Sequence, residues 1–153
     1  MDGQQRERCV VNASVALKWH LPQEPFAQQA IALLNDWRKG ALELLAPEVF
    51  FAEISHALVR AIRRGRLLPE EADAILIDLL AVSIRSFPIQ PLVQRATEIA
   101  IRYQQNSYDC LYVALAEREG VELWTGDERL VNALSPHFPF IRFIGEYKPK
   151  RIQ

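Results

Sequence analysis

Short unbroken apolar runs alternate along this chain with stretches in which apolar residues return at helical spacing. Arg8-Cys9-Val10-Val11-Asn12 is too short for a helix and β-branched at its centre, which predicts a buried first strand ending in Asn12. Ala16, Leu17 and Trp19 predict a short helical turn up to Pro22. From Gln23 to Lys39 a helix is expected, with Phe26, Ala30, Leu33, Leu34 and Trp37 inward and Gly40 as its stop. Leu42 to Ala46 reads as a second strand. Pro47, pre-organised for a helix's first position, then opens an amphipathic helix to Gly65. A further helix runs from Leu68-Pro69-Glu70-Glu71 to Leu80, an edge strand lies within Val82 to Ile89, and Pro91 starts a helix reaching Gln105.

The stretch from Asn106 to Leu130 reads as helix, strand, tight turn and helix, and Phe138 to Ile144 supplies a last strand. Strands alternating with helices predict an α/β fold, a central and mostly parallel β-sheet flanked by α-helices. Residues 1–153 are expected to form a single domain, with tails at 1–7 and from 146 to 153, the latter basic through Lys148, Lys150 and Arg151.

Composition narrows the class only a little. Half of the residues are hydrophobic and 24% charged, ordinary for a globular protein, and the net charge of −1 announces neither nucleic acid nor an anionic membrane. Any polyanion contact must then come from a local basic patch. The polar start MDGQQRERC is unlike a signal peptide, and no apolar run is long enough for a transmembrane span. Cys9 and Cys110 lack metal-ligand spacing and read as reduced core thiols of a cytoplasmic protein.

Four polar positions carry the candidate chemistry. Asn12 ends the first strand, where it either caps the following turn or faces a site at the sheet's carboxyl edge. Glu53 interrupts the apolar stripe of its helix, three residues after Phe50 and four before Ala57. A carboxylate there needs a partner, either His56, a neighbouring arginine or a cation. Asp109 lies in a first helical turn behind Ser107, a candidate cap, where negative charge is favoured anyway. Asp127 follows a strand inside Thr125-Gly126-Asp127-Glu128, a formal capping box of Thr125 and Glu128. Each has a structural explanation alone; together they are what a fold gathering oxygen ligands around a hard divalent cation requires. Arg60, Arg63, Arg64 and Arg66 cluster at a helix end, either complementing its dipole or contacting phosphates.

On these residues the chain resembles the PIN-domain family, and within it the VapC-type toxins of bacterial and archaeal toxin–antitoxin pairs. VVNASVALKW is similar to the family's opening strand and turn, PEVFFAEISHALVRAIRRG to its second motif, and SYDCLYVALAEREGVELWTGDERL to its third and fourth. The resemblance implies an acidic pocket holding Mg²⁺ or Mn²⁺ and hydrolysis of RNA phosphodiester bonds. It also implies a homodimer and a small antitoxin partner. By it Glu53, Asp109 and Asp127 hold metal directly or through water, Ser14 and Thr125 support them, and the arginines meet RNA or the partner. The three histidines, His20, His56 and His137, fall outside these motifs.

Asn12 departs from the family, whose first motif has an aspartate there. The amide oxygen can still ligate, but the pocket loses a charge, and a unit pair at about 4 Å is worth about 4 kcal/mol at an effective dielectric near 20. Two functions therefore stand side by side: a metal-dependent endoribonuclease impaired by Asn12, and a catalytically inactive PIN-fold module that binds RNA or a protein.

Overall fold

The computed structural model describes residues 6–151. Its strands β1 (Glu7–Val11), β2 (Leu42–Pro47), β3 (Ile84–Phe87), β4 (Glu122–Thr125) and β5 (Ile141–Phe143) form one sheet in the order β3-β2-β1-β4-β5. Every pairing is parallel, with Val10 beside Leu45 on one side and Leu123 on the other. This explains the unbroken apolar runs: Val10, Val11, Leu44, Leu45 and Leu123 are inaccessible because helices cover the sheet. The edge strand expected within Val82 to Ile89 is β3, and its burial pattern opens to solvent at Arg85 and Ser86.

The helices are α1 (Ala13–Lys18), α2 (Ala27–Arg38), α3 (Val49–Arg63), α4 (Pro69–Leu80), α5 (Gln90–Tyr103), α6 (Ser107–Glu119) and α7 (Glu128–Leu134). Helix α2 begins four residues later than expected, because Phe26 takes a left-handed φ of 63° and breaks the run from Gln23. Helix α6 packs against β1, β2, β4 and α5, and each residue from Cys110 to Ala116 is buried. It is apolar around its circumference because it lies inside the molecule. Burial pushes the Cys9 thiol up to about 12 and the Cys110 thiol to about 11; both cysteines are free, as expected of inert core thiols.

Two expectations at the chain ends need correction. Glu7, assigned to a tail, already pairs with Leu42 in the sheet; residues 1–5 lie outside the described residues. The basic segment after 146 is fastened rather than loose. Tyr147 is buried against Trp124, and its hydroxyl donates to the fully buried Asp36 carboxylate. The Lys150 backbone amide donates to the same Asp36 oxygen at 2.9 Å, and the Lys150 ammonium pairs with Glu7. Among the described residues no helix is long and apolar enough to cross a membrane.

Candidate active site

The sheet order reverses direction between β1 and β4, and the crevice at their carboxyl ends is where open α/β folds bind ligands. The two ends are tied together. The Asn12 amide donates to the Trp124 carbonyl at 3.0 Å. Ser14, in the first turn of α1, accepts at its hydroxyl from the Gly126 amide at 2.9 Å and stands 3.5 Å from the Thr125 hydroxyl. Thr125, fully buried, accepts from the Asp127 amide at 3.1 Å. Ser14 and Thr125 thus hold the β1–α1 and β4–α7 turns in register. Gly126 is closely approached: an added Cβ would stand 2.9 Å from Lys18 Cε, which would have to shift, and 3.3 Å from Ser14 Oγ.

Helix caps fix the acids, although not the caps expected. Thr125 and Glu128 do not form a capping box; Asp127 itself caps α7, its Oδ1 accepting from the Leu130 amide at 3.2 Å. Thr125 is already engaged with the turn, so the cap moves two residues on. Likewise Asn106, not Ser107, caps α6, accepting from Tyr108 at 2.7 Å, which leaves Asp109 in the first turn. Asn12 caps α1, its Oδ1 accepting from the Ser14 amide at 2.9 Å. A backbone N–H needs an acceptor there, so this contact also assigns which end of the amide is oxygen.

Glu53 is half-buried on α3, and neither His56 nor an arginine pairs with it. Its partner is Tyr112 of α6, fully buried, whose hydroxyl donates to Glu53 Oε1 at 2.6 Å with the Ala13 amide close by. Burial raises the Glu53 pKa, the Tyr112 hydrogen bond opposes it, and Asp109 adds a further upward push. Asp109 is raised by burial and then by Asp127, while Arg129 draws it down. The carboxylates therefore form a chain of like charges with Asp109 in the middle. Among the described residues none of them is in an ion pair. Nor do any three His, Cys, Asp or Glu side chains there already close around one point as a metal cage would.

The arginines divide. Arg60, Arg64 and Arg66 line a cleft of about 260 Å³ with Leu17, Leu21 and Leu67, whereas Arg63 is not part of it. Arg60 lies seven residues along α3 from Glu53, two turns or about 10 Å. Tyr112 and Arg129 escaped the sequence reading. Tyr112 carried a signal, standing three residues after Asp109 and so on the same helix face.

A profile of the PIN domain matches residues 9–133. The chain belongs to the PIN-domain family. Within it, the chain is 38% identical over 94 residues to ribonuclease VapC1 of Mycobacterium tuberculosis, an overlap covering 61% of this chain and 68% of that one. It is 32% identical over 127 residues to ribonuclease VapC3 of Pyrobaculum aerophilum, covering 80% and 92%. Among solved structures, PAE2754 from Pyrobaculum aerophilum superposes with a TM-score of 0.67 at 20% identity over 92% of each chain. VapC20 of Mycobacterium tuberculosis, a toxin that cleaves the sarcin–ricin loop, gives 0.62 at 15% identity over 88% of this chain and 98% of that one. The residues matched, 9–133, take in Asn12, Glu53, Asp109 and Asp127.

Proposed function

We propose that this chain is an endoribonuclease of the VapC type that hydrolyses RNA phosphodiester bonds with Mg²⁺ or Mn²⁺. The observation that carries the reading is Asp109 standing between Glu53 and Asp127 at the β1/β4 crevice, with none of the three in an ion pair among the described residues. The named ribonuclease relatives support it. The donor set fits a hard cation: each carboxylate keeps an oxygen free of the bonds that position it, since Tyr112 engages only Oε1 of Glu53 and Leu130 only Oδ1 of Asp127.

Glu53, Asp109 and Asp127 would hold the ion, with Asn12 beside them. A bound divalent ion there supplies an activated water and offsets charge on the phosphoryl oxygens. The chain's own groups prepare the place. Tyr112 holds Glu53, Ser14 and Thr125 hold the turn bearing Asp127, and Arg60, Arg64 and Arg66 offer charge to flanking RNA phosphates or to an antitoxin. A small antitoxin and a second copy of the chain are the partners this reading carries with it.

Asn12 favours the second reading, a PIN-fold module that binds RNA or protein without cutting. Its one acceptor oxygen already takes the Ser14 amide on one lone pair, and its other terminal atom is a nitrogen donor that cannot ligate. An aspartate would cap with one oxygen and offer the other to a cation. The test is cleavage of an RNA panel by this chain and by Asn12→Asp, each with Mn²⁺ and with excess EDTA. Cutting by either protein that EDTA abolishes supports the nuclease, and cutting by the variant alone makes Asn12 the lesion. No cutting by either transfers the case to the binding module.

A further inference from the structure

Two side chains at the mouth of this crevice have no structural employment. Tyr108, next to Asp109 in the first turn of α6, is 56% exposed. Among the described residues its ring joins no aromatic pair, and only its backbone amide is hydrogen-bonded, to Asn106. Arg129, two residues after Asp127, is exposed and in no ion pair or cation–π contact among the described residues. It stands in the first turn of α7, where helix polarity disfavours a cation. Its charge nonetheless reaches Asp109 across the crevice. The other arginines of α5, α6 and β5 are employed: Arg95, Arg118 and Arg142 pair with glutamates, and Arg102 lies over Tyr103.

We propose that Arg129 and Tyr108 are substrate-contact residues of this site, Arg129 meeting a backbone phosphate of single-stranded RNA and Tyr108 stacking on a base. This rests on the ribonuclease reading and adds to it a second set of contacts, apart from the arginines of α3. The acids repel a polyanion, so a strand entering the crevice needs a cation within reach of them, and Arg129 stands exposed in the first turn of α7, two residues after Asp127, in no ion pair among the described residues. A flat aromatic face one residue from that acid gives a base a sequence-tolerant platform. The division of labour is chemical. The arginine contributes a salt-dependent contact and the tyrosine a salt-independent one.

The experiment is fluorescence anisotropy of a labelled oligouridylate against the full chain and its Arg129→Gln, Tyr108→Ala and Tyr108→Phe variants. Ca²⁺ replaces Mn²⁺, salt is titrated, and Arg102→Gln serves as control. Arg129→Gln is expected to weaken binding several-fold and to lower the log–log salt slope by about 0.7, one single-strand phosphate contact. Tyr108→Ala is expected to weaken it about tenfold with the slope unchanged, and Tyr108→Phe to restore it. If the native chain cuts or binds RNA while the Arg129 and Tyr108 variants bind with native affinity and slope, the contact is refuted and the ribonuclease reading survives. If the native chain neither cuts nor binds RNA, both fall.

Discussion

Stepwise change of the crevice charge separates a metal pocket from an ordinary polar turn. Asp109→Asn removes the middle member of the like-charge chain, and Asn12→Asp adds a fourth carboxylate without disturbing the cap, since Asp and Asn cap equally well. A like-charge pair at about 4 Å costs about 4 kcal/mol at an effective dielectric near 20. Glu53, Asp109 and Asp127 are only partly buried and Arg129 offsets some of the repulsion, so the Asp109 step is expected to be worth about 1 kcal/mol; position 12 is buried, so a carboxylate there costs at least as much. For a protein of this size that is about 2–4 °C in Tm. The favourable helix terminus beneath Asp109 does not reverse the sign, because its pKa is raised despite that terminus. Metal-free at neutral pH, Asp109→Asn should melt above the native chain and Asn12→Asp below it.

The pH dependence has a definite sign. A carboxylate raised in the folded state costs stability that is absent below its unfolded pKa, near 3.9 for Asp, appears as pH rises and is complete above the folded value. The advantage of Asp109→Asn should therefore vanish in acid. Saturating Mn²⁺ should invert the order. At one hundred times Kd the ion stabilises by about 2.7 kcal/mol and at one thousand times by about 4.1, so a tenfold affinity gain in Asn12→Asp is readable in a melting curve. Scanning calorimetry of the three proteins with and without Mn²⁺ gives the whole series. The same Mn²⁺ shift in all three, or a metal-free Asp109→Asn less stable than native, would refute the pocket.

Tyr112→Phe strips Glu53 Oε1 of its donor and should cost about 1–2 kcal/mol in chemical denaturation. If Tyr112 positions Glu53, the variant should also bind Mn²⁺ more weakly by calorimetry; a stability loss with native affinity would leave Tyr112 purely structural. Tyr147→Phe makes the contrasting case, removing the hydroxyl from buried Asp36, whose bonds go to Tyr147 and Lys150 and to none of the acids, and should cost about 3 kcal/mol while leaving the Mn²⁺ shift untouched.

The sheet was legible in the sequence because burial on both faces leaves strands as apolar runs, and Val10-Val11, Leu44-Leu45 and Leu123-Trp124 are such runs. Glu53 was legible for a related reason, since it interrupts an apolar stripe, whereas Asn12, Asp109 and Asp127 were legible as polar residues at the ends of strands and helices. Which oxygen binds which amide was not. Thr125 was assigned a cap that Asp127 makes, because the choice depends on Ser14 arriving from the far end of β1. Tyr112 as the partner of Glu53 was hidden by their separation of 59 residues. The fastened C-terminal segment was masked by its polar composition, although Asp36, three residues after buried Leu33, marked a carboxylate turned inward on α2.

The structural and the chemical explanations of these polar residues are therefore not rivals. Asp127 caps a helix with one oxygen, and that bond is what aims the other; Glu53 is clamped at one oxygen by Tyr112 in the same way. A carboxylate serves both ends because it has two equivalent acceptors, and an amide has one. By this logic Asn12 is the residue at which the two explanations diverge. Its cap is intact at 2.9 Å, so the fold loses nothing, while the atom that an aspartate would turn toward the crevice has become a donor. A change that spares the cap, relieves repulsion in the metal-free fold and weakens cation binding is what an Asp-to-Asn exchange at a helix cap beside a metal pocket should produce.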